Sequence, residues 1–424
     1  MYWEKDLETL DRKELERRQL EQINWTIRQA RNSSFYSGLK INRIDSLEAI
    51  QDLPLTTKED LRNQFPYGFL AVDRERVIRL HSSSGTTGKP TVVFHTREDI
   101  DRWQNLIARS MYAVGVRKND VFQNIMGYGL FTGGIGFHYG AELLGVMTIP
   151  IGPGNSKRQI WFLKHLRTSV VHILPSYALR LYTFFDELNI DPKKDLNLKI
   201  ALIGAEPHSN EIRKKIEELY GIKAYNSYGL SEMCGPGVAF ECTQQAGLHV
   251  WEDHFYPEII DPDSMQVLPE GEEGELVLTT LSREAMPIIR YRTRDLTSLI
   301  PGNCPCGRTH RRISRIKGRN DDMLIINGVN IFPIQIERTV MAIPEIGNNY
   351  LIEIRKKDYM DKLLLKVEVN EQVFQGTLSE LEKLQRKIIV ELREELDLTP
   401  EVKLVESASL PVSDGKAKRV YDFR

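Results

Sequence analysis

A chain of 424 residues is longer than one compact core serves, so two domains are expected. Hydrophobic residues at 41%, charged residues at 27% and a formal net charge of -2 describe an ordinary soluble protein and argue against nucleic acid as the main partner, which would call for a cationic surplus. The charge-dense start "MYWEKDLETL", the lack of a long apolar run and only four cysteines argue against a signal peptide, a membrane span and a disulfide framework, leaving a reducing cytoplasm as the simplest compartment.

In chain order, residues 5–31 carry Leu7, Leu10, Leu15, Leu20, Ile23 and Ile27 among charges, the spacing of an amphipathic helix. In the middle, helical stretches alternate with "VVHILP" (170–175), "KIALIGAEP" (199–207) and "GELVLTTL" (274–281), predicted buried strands of an α/β domain with substantial sheet. The end differs. "NYLIEIRK" and "KLLLKVEVN" are a predicted hairpin. A helix follows, opened by Ser379 with Glu382 as a capping box and carrying Leu381, Leu384, Ile388, Leu392 and Leu396 on one face; a last strand, "VKLVESASLP", comes after it. This predicts a large domain over 1–319 and a small α+β domain over 320–424, meeting at the polar stretch "KGRNDDM" (317–323).

The loop "HSSSGTTGKPT" (81–91) is built to hold phosphate. It is not a P-loop, because Ser83 stands where the first Gly is needed and Pro90 follows Lys89 in place of Ser or Thr. Gly127 and Gly129 followed by Thr132 miss the dinucleotide pattern, and "YGLSE" lacks the second glycine of a serine nucleophile turn. What remains is a hydroxyl-rich loop able to wrap a triphosphate, or a plain surface turn. In "NSYGLSEMCGPG" (226–237), Tyr228 can cover a purine and Glu232 can hold Mg²⁺. Asp295 in "RYRTRDL" can accept hydrogen bonds from ribose hydroxyls or form an ion pair, and Lys416 sits in an Asp-Gly turn in "PVSDGKAKR".

These motifs, with "LPLTTKEDLR" (53–62), "YGLFTGGIGFHYGAE" (128–142), "GAEP" (204–207), "WEDHFYPEIIDP" (251–262) and "GRNDDMLIINGVNIFP" (318–333), span nearly the whole chain in order. The sequence resembles the adenylate-forming superfamily of acyl-CoA synthetases and, within it, the phenylacetate–CoA ligase family. The resemblance implies a carboxylate attacking the α-phosphorus of ATP to give acyl-AMP and pyrophosphate, then CoA attacking the acyl carbon and releasing AMP. It implies that Ser82, Ser83, Ser84, Gly85, Thr86, Thr87, Gly88 and Lys89 hold the β- and γ-phosphates, with Thr87 near the metal. Gly204, Ala205, Glu206, Pro207, Asn226, Ser227, Tyr228 and Gly229 would frame adenine, Asp295 would hold ribose, and Arg319 would lie near the ribose or α-phosphate. Glu232 would hold Mg²⁺, and Lys416 would bridge the α-phosphate and the acyl carboxylate before withdrawing about a hinge at Asp321. Lys58 either binds phosphate or only begins a helix at Thr57.

The acyl pocket is implied to involve Met126, Phe131, Phe137, Gly235 and Pro236. Family members that take phenylacetate carry Tyr and Ala where this chain has Met126 and Phe137, and the larger ring at 137 fills space, pointing to another aryl acid or a shorter one. The acceptor is CoA or a carrier protein, and a third reading is an ATP-binding protein without turnover. The basic stretch 306–319 either meets the 3′-phosphate of CoA or is a solvated face balanced by acids. Cys242, His249, Cys304 and Cys306 make a candidate Cys₃His zinc set, with His310 as the alternative fourth ligand, or they are unrelated residues. A homodimer is expected from the resemblance.

Overall fold

The computed structural model describes residues 2–82, 90–130, 132–327, 329–357, 360–411 and 417–424. Its centre is a sheet of twelve strands among the described residues. One half is parallel: Met147–Ile149, Val121–Asn124, Val170–Ile173, Ile200–Gly204 and Lys223–Leu230 lie side by side, crossed over by helices. The other half is antiparallel and runs on through Gly235–Glu241, Leu248–Val250, Arg312–Ile313, Tyr291–Ile300, Glu273–Thr280 and Phe255–Ile260. Val170–Ile173 is buried along its whole length and Ile200–Gly204 along nearly all of it, as expected of central parallel strands covered on both faces. The three predicted strands stand where their apolar runs lie.

The small C-terminal unit is α+β, as predicted. Its sheet has the order Glu401–Val405, Met360–Val369, Ile346–Lys357, Val420–Asp422. The helices Pro333–Met341 and Leu378–Leu396 pack against each other beside it. Its apolar core runs on into that of the parallel half, joining Ile336 and Val340 to the cluster that holds Ile212 and Ile216.

Three expectations shift. The first helix is interrupted: Lys5–Glu8 ends where Glu8 is drawn into a buried pair with Arg308, and Asp11 caps a new helix, Arg12–Ala30. The capping box of Leu378–Leu396 is Thr377 with Glu380, not Ser379 with Glu382, which fall inside the helix. The last predicted strand is only Glu401–Val405, and the chain closes instead with Val420–Asp422, parallel to Ile346–Lys357.

Candidate active site

Two predicted nucleotide segments leave neighbouring parallel strands at the same edge of the sheet. Gly204 pairs with Ser227, so "GAEP" and "NSYG" emerge together. The approach requires glycine: a Cβ on Gly204 would lie 2.4 Å from the Ser227 carbonyl oxygen. Ala205 follows in the left-handed region at φ 64°. Asn226 and Ser227 are buried, and Asn226 N–H donates to Glu241 at 2.8 Å. Gly229 meets Gly235 closely enough that a Cβ would stand 1.9 Å from its carbonyl oxygen, which folds the turn bearing Glu232 back toward Pro236.

The polar heart of the site comes from three distant parts of the chain. Tyr228 donates its hydroxyl to Asp295 at 2.5 Å. Asp295 lies on Tyr291–Ile300, paired in register with Arg319. Burial pushes the Asp295 carboxyl up to about 6, against the lowering effects of Tyr228 and Arg319. Arg319 forks onto both oxygens of Asp321, at 2.7 and 2.8 Å. Thr56 bridges to Tyr291 and exchanges backbone hydrogen bonds with Arg290 and Arg292, which docks the "LTTKED" segment on this strand. Thr57 then caps the helix Lys58–Asn63, and Lys58 Nζ stands 3.4 Å from Glu232 Oε1. Lys58 thus both begins a helix and faces the site.

Two further residues belong here. The Tyr291 phenol is buried and raised by burial and then by the Glu232 charge; its signal was present in "RYRTRDL", as an aromatic with a polar head on the strand of Asp295. Arg283 is buried and donates to the carbonyls of Glu232 at 2.6 Å and Phe94 at 3.2 Å. It lies outside every recognised motif and acts through backbone, so no sequence pattern marks it.

Glu206 is placed differently from its neighbours. Its carboxylate accepts from two backbone amides, Ser176 at 2.7 Å and Ala417 at 3.2 Å. Pro207 lines a cavity of about 550 Å³ between the large and small units, with Glu206 and Asp321. Phe137 is fully buried, with its ring centroid 3.9 Å from His172 and 6.2 Å from Phe240. Its bulk therefore goes into packing behind the glycine-rich segment, while Met126 is half-buried at that segment's start. Trp103 donates to the Pro236 carbonyl at 2.8 Å and packs on Gly136. Ser83 to Lys89, Phe131 and Lys416 lie outside the described residues; Ser82 is buried at the end of the strand Arg79–Ser82.

On the antiparallel side, donor atoms of Cys242, His249, Cys304 and Cys306 all lie within 4.8 Å of one another. The Cys242 and Cys304 sulfurs are 3.6 Å apart, near the roughly 3.8 Å separation that tetrahedral zinc with 2.3 Å bonds sets. His249 Nε2 is 3.4 Å from the Cys306 sulfur, and its Nδ1 meets the His310 carbonyl at 3.0 Å, the outer contact that orients a metal-binding imidazole. His310 is not the fourth donor: its ring nitrogens are engaged by Leu7 and Glu252 backbone. Nor does the basic stretch offer free cations. Arg308 pairs with Glu8, Arg311 with Glu252, Arg315 with Glu241, Lys317 with Glu273 and Arg319 with Asp321, while Arg312 donates to carbonyls. These internal acids favour the balanced-face reading over a CoA phosphate.

Comparison with known proteins agrees with this geometry. Residues 37–282 match the AMP-binding enzyme family, and residues 328–424 match the AMP-binding enzyme C-terminal domain. The phenylacetate–coenzyme A ligase of Aromatoleum evansii is 44% identical, over 99% of this chain and 97% of its own. A 2-hydroxyisobutyryl-CoA ligase in the postadenylation state with 2-HIB-AMP is 30% identical, with TM-score 0.93 over 100% of this chain and 92% of its own. The same ligase with 2-HIB-AMP and CoA in the thioesterification state is 31% identical, with TM-score 0.74 over 99% and 92%. The chain belongs to the phenylacetate–CoA ligase family of AMP-binding enzymes.

Proposed function

We infer that this protein is an AMP-forming acid–CoA ligase. It activates a small organic or aryl carboxylic acid with ATP and passes the acyl group to CoA. The observation that carries the reading is the convergence of Lys58, Tyr228, Glu232 and Asp295 beside "GAEP", in a chain whose relatives are acid–CoA ligases. In the first half-reaction a carboxylate oxygen bonds to the α-phosphorus and pyrophosphate leaves. The substrate carboxylate needs no deprotonation, so the protein's task is alignment and charge neutralisation. Ser82–Lys89 would hold the β- and γ-phosphates, Asp295 the ribose, Arg319 the ribose or α-phosphate, and Lys416 the α-phosphate and the acid. In the second half-reaction the CoA sulfur bonds to the acyl carbon, AMP leaves, and the thiol proton passes to solvent.

Glu232 fits a divalent cation. Its buried Oε1 has no hydrogen-bond partner among the described residues and stands 3.4 Å from the Lys58 ammonium. Mg²⁺ there would neutralise phosphate charge. The four-donor cluster fits a structural zinc ion, remote from the chemistry. The boundary at 319/320, with Asp321 as hinge, follows the passage from the strand Gly318–Arg319 to the separate hairpin Leu324–Ile331. A cytoplasmic location is in keeping with four free cysteines, and a homodimer follows family resemblance alone. No helix among the described residues is long and apolar enough to cross a membrane.

The test is a panel of carboxylic acids with ATP, read as pyrophosphate exchange and as CoA-dependent AMP release. Release with CoA supports the ligase. Exchange without CoA-dependent release would move the acceptor to a carrier protein. No exchange with any acid would overturn the reading.

A further inference from the structure

The loop Glu206–Ser209, between the strand Ile200–Gly204 and the helix Asn210–Tyr220, is where the small unit docks on the large one. It carries two reciprocal contacts. Glu206, on the large unit, accepts through one oxygen from Ser176 N–H at 2.7 Å and through the other from Ala417 N–H at 3.2 Å. Pro175 has no N–H, so Ser176 offers the first donor of its helix, Pro175–Glu187, and fixes the carboxylate from behind. Ala417 is the residue that follows Lys416 in the chain. In the opposite direction, Glu337, on the small unit's helix Pro333–Met341, accepts from Ser209 N–H at 2.7 Å, and its other oxygen takes the Tyr350 hydroxyl at 2.8 Å. Glu337 is 6% exposed, and burial raises its carboxyl.

We propose that Glu206 and Glu337 are positioning residues that hold the small unit in its adenylate-forming arrangement, Glu206 through the Ala417 amide and Glu337 through the Ser209 amide. The inference rests on the ligase reading. Glu206, which the motif alone assigns to adenine, acts here on the protein. Each carboxylate must release its partner on the other unit, Ala417 for Glu206 and Ser209 for Glu337, when the small unit turns. The related ligase shows two arrangements that match this chain unequally, 0.93 after adenylation and 0.74 in thioesterification. The contacts seen here belong to the first. They should therefore matter for one half-reaction and not for the other.

The test uses the full chain with Glu206→Ala, Glu206→Gln, Glu337→Ala and Glu337→Gln. In ATP–pyrophosphate exchange, kcat should fall about tenfold or more in the two alanine variants, because small misplacements of a catalytic group are costly, while KM for ATP stays within about twofold. Capture of supplied acyl-adenylate by CoA should stay within about twofold of the parent or rise. Glu337→Gln keeps an oxygen for Ser209 N–H and should recover most of the exchange rate. Hydrogen–deuterium exchange should quicken at the Ala417 amide in both Glu206 variants and at Ser209 in Glu337→Ala. A rise in KM for ATP at unchanged kcat would return Glu206 to the adenine site and overturn the proposal. So would equal losses in both half-reactions. If the parent protein exchanges no pyrophosphate with any acid, the ligase reading has failed by itself, and amide protection unchanged in both alanine variants would still overturn the docking role.

Discussion

Asp295 is the titrating residue of the site. Burial lifts its carboxyl from 3.8 to about 6, while the Tyr228 hydroxyl and Arg319 pull it down. With Asp295 in its proposed ribose role, protonation would remove an acceptor for the ribose hydroxyls, so KM for ATP should rise as pH falls through about 6. Tyr228→Phe deletes a lowering contact and should move that inflection to higher pH, read from kcat/KM for ATP in pyrophosphate exchange. An inflection that stays put would separate the two residues. The same shift couples folding to pH. The folded chain holds this proton more tightly than the unfolded one, so the stabilisation is full below about 3.8 and is lost as pH rises through about 6. Lys416, in the role proposed for it, gives the contrasting case of a charge used in one half-reaction only. Lys416→Ala should slow adenylation by roughly 10²–10³, the cost of removing one preorganised transition-state contact. CoA capture of supplied acyl-adenylate should change far less. Comparable losses in both halves would remove Lys416 from the role assigned to it.

Among the elements, Leu378–Leu396 shows how a local signal can be right in kind and displaced in position. Its apolar spacing marked the buried face, since Leu384, Ile388, Leu392 and Leu396 are all buried. Two Ser/Thr-x-x-Glu patterns overlap at its start, Thr377 with Glu380 and Ser379 with Glu382, and sequence alone does not rank them. The chain uses the first, where the Thr377 hydroxyl accepts from Glu380 N–H and the Glu380 carboxylate accepts from Thr377 N–H. Thr377→Ala should cost about 1 kcal/mol in urea unfolding and Ser379→Ala much less. Equal effects would show that the cap carries no stability. The Cys₃His cluster was legible for another reason: "GLH" sets His249 on a strand and the "CPCG" turn precedes the strand Arg312–Ile313 that pairs with it. The Cys turn also anchors the N-terminus, since Tyr2 donates to the Cys306 carbonyl at 2.8 Å and Arg308 holds Glu8. About one zinc per chain is expected by metal analysis. Cys304→Ser should lose it and lower the melting temperature; zinc near zero in the parent, with stability unchanged in the variant, would dismiss the site. What sequence could not give was pairing across the chain. Lys58 meets Glu232 only because Thr56 bridges to Tyr291, and the long strand that makes this bridge leaves no local mark on "LTTKED".

For the whole molecule the question is what lets one chain run two reactions at one site. In the proposed mechanism the sheet and its glycine-bound loops hold the nucleotide, while the small unit brings Lys416 and must later leave. The joint lies between Gly318–Arg319, still paired to the large sheet, and the hairpin Leu324–Ile331. Within it, Asn320 N–H is tied to the Arg294 carbonyl and Asp322 N–H to the Arg319 carbonyl, so Asp321 is the residue where backbone rotation can fall between two held neighbours. Asp321→Pro would fix φ near about −65° at that residue and restrict Asn320 as well. The protein should then be confined to one arrangement. Since its resting structure matches the postadenylation form, pyrophosphate exchange should persist while CoA capture of acyl-adenylate falls, the reverse of Lys416→Ala. The substitution also removes the carboxylate that Arg319 grips, a half-exposed pair of small energetic weight. Asp321→Ala breaks that pair without restricting the backbone and serves as the control, with both half-reactions near parent rates. If alanine and proline depress CoA capture equally, the Arg319 pair and not rotation at 321 governs the second half-reaction. If proline depresses neither, the turn between the two arrangements is made elsewhere in the joint.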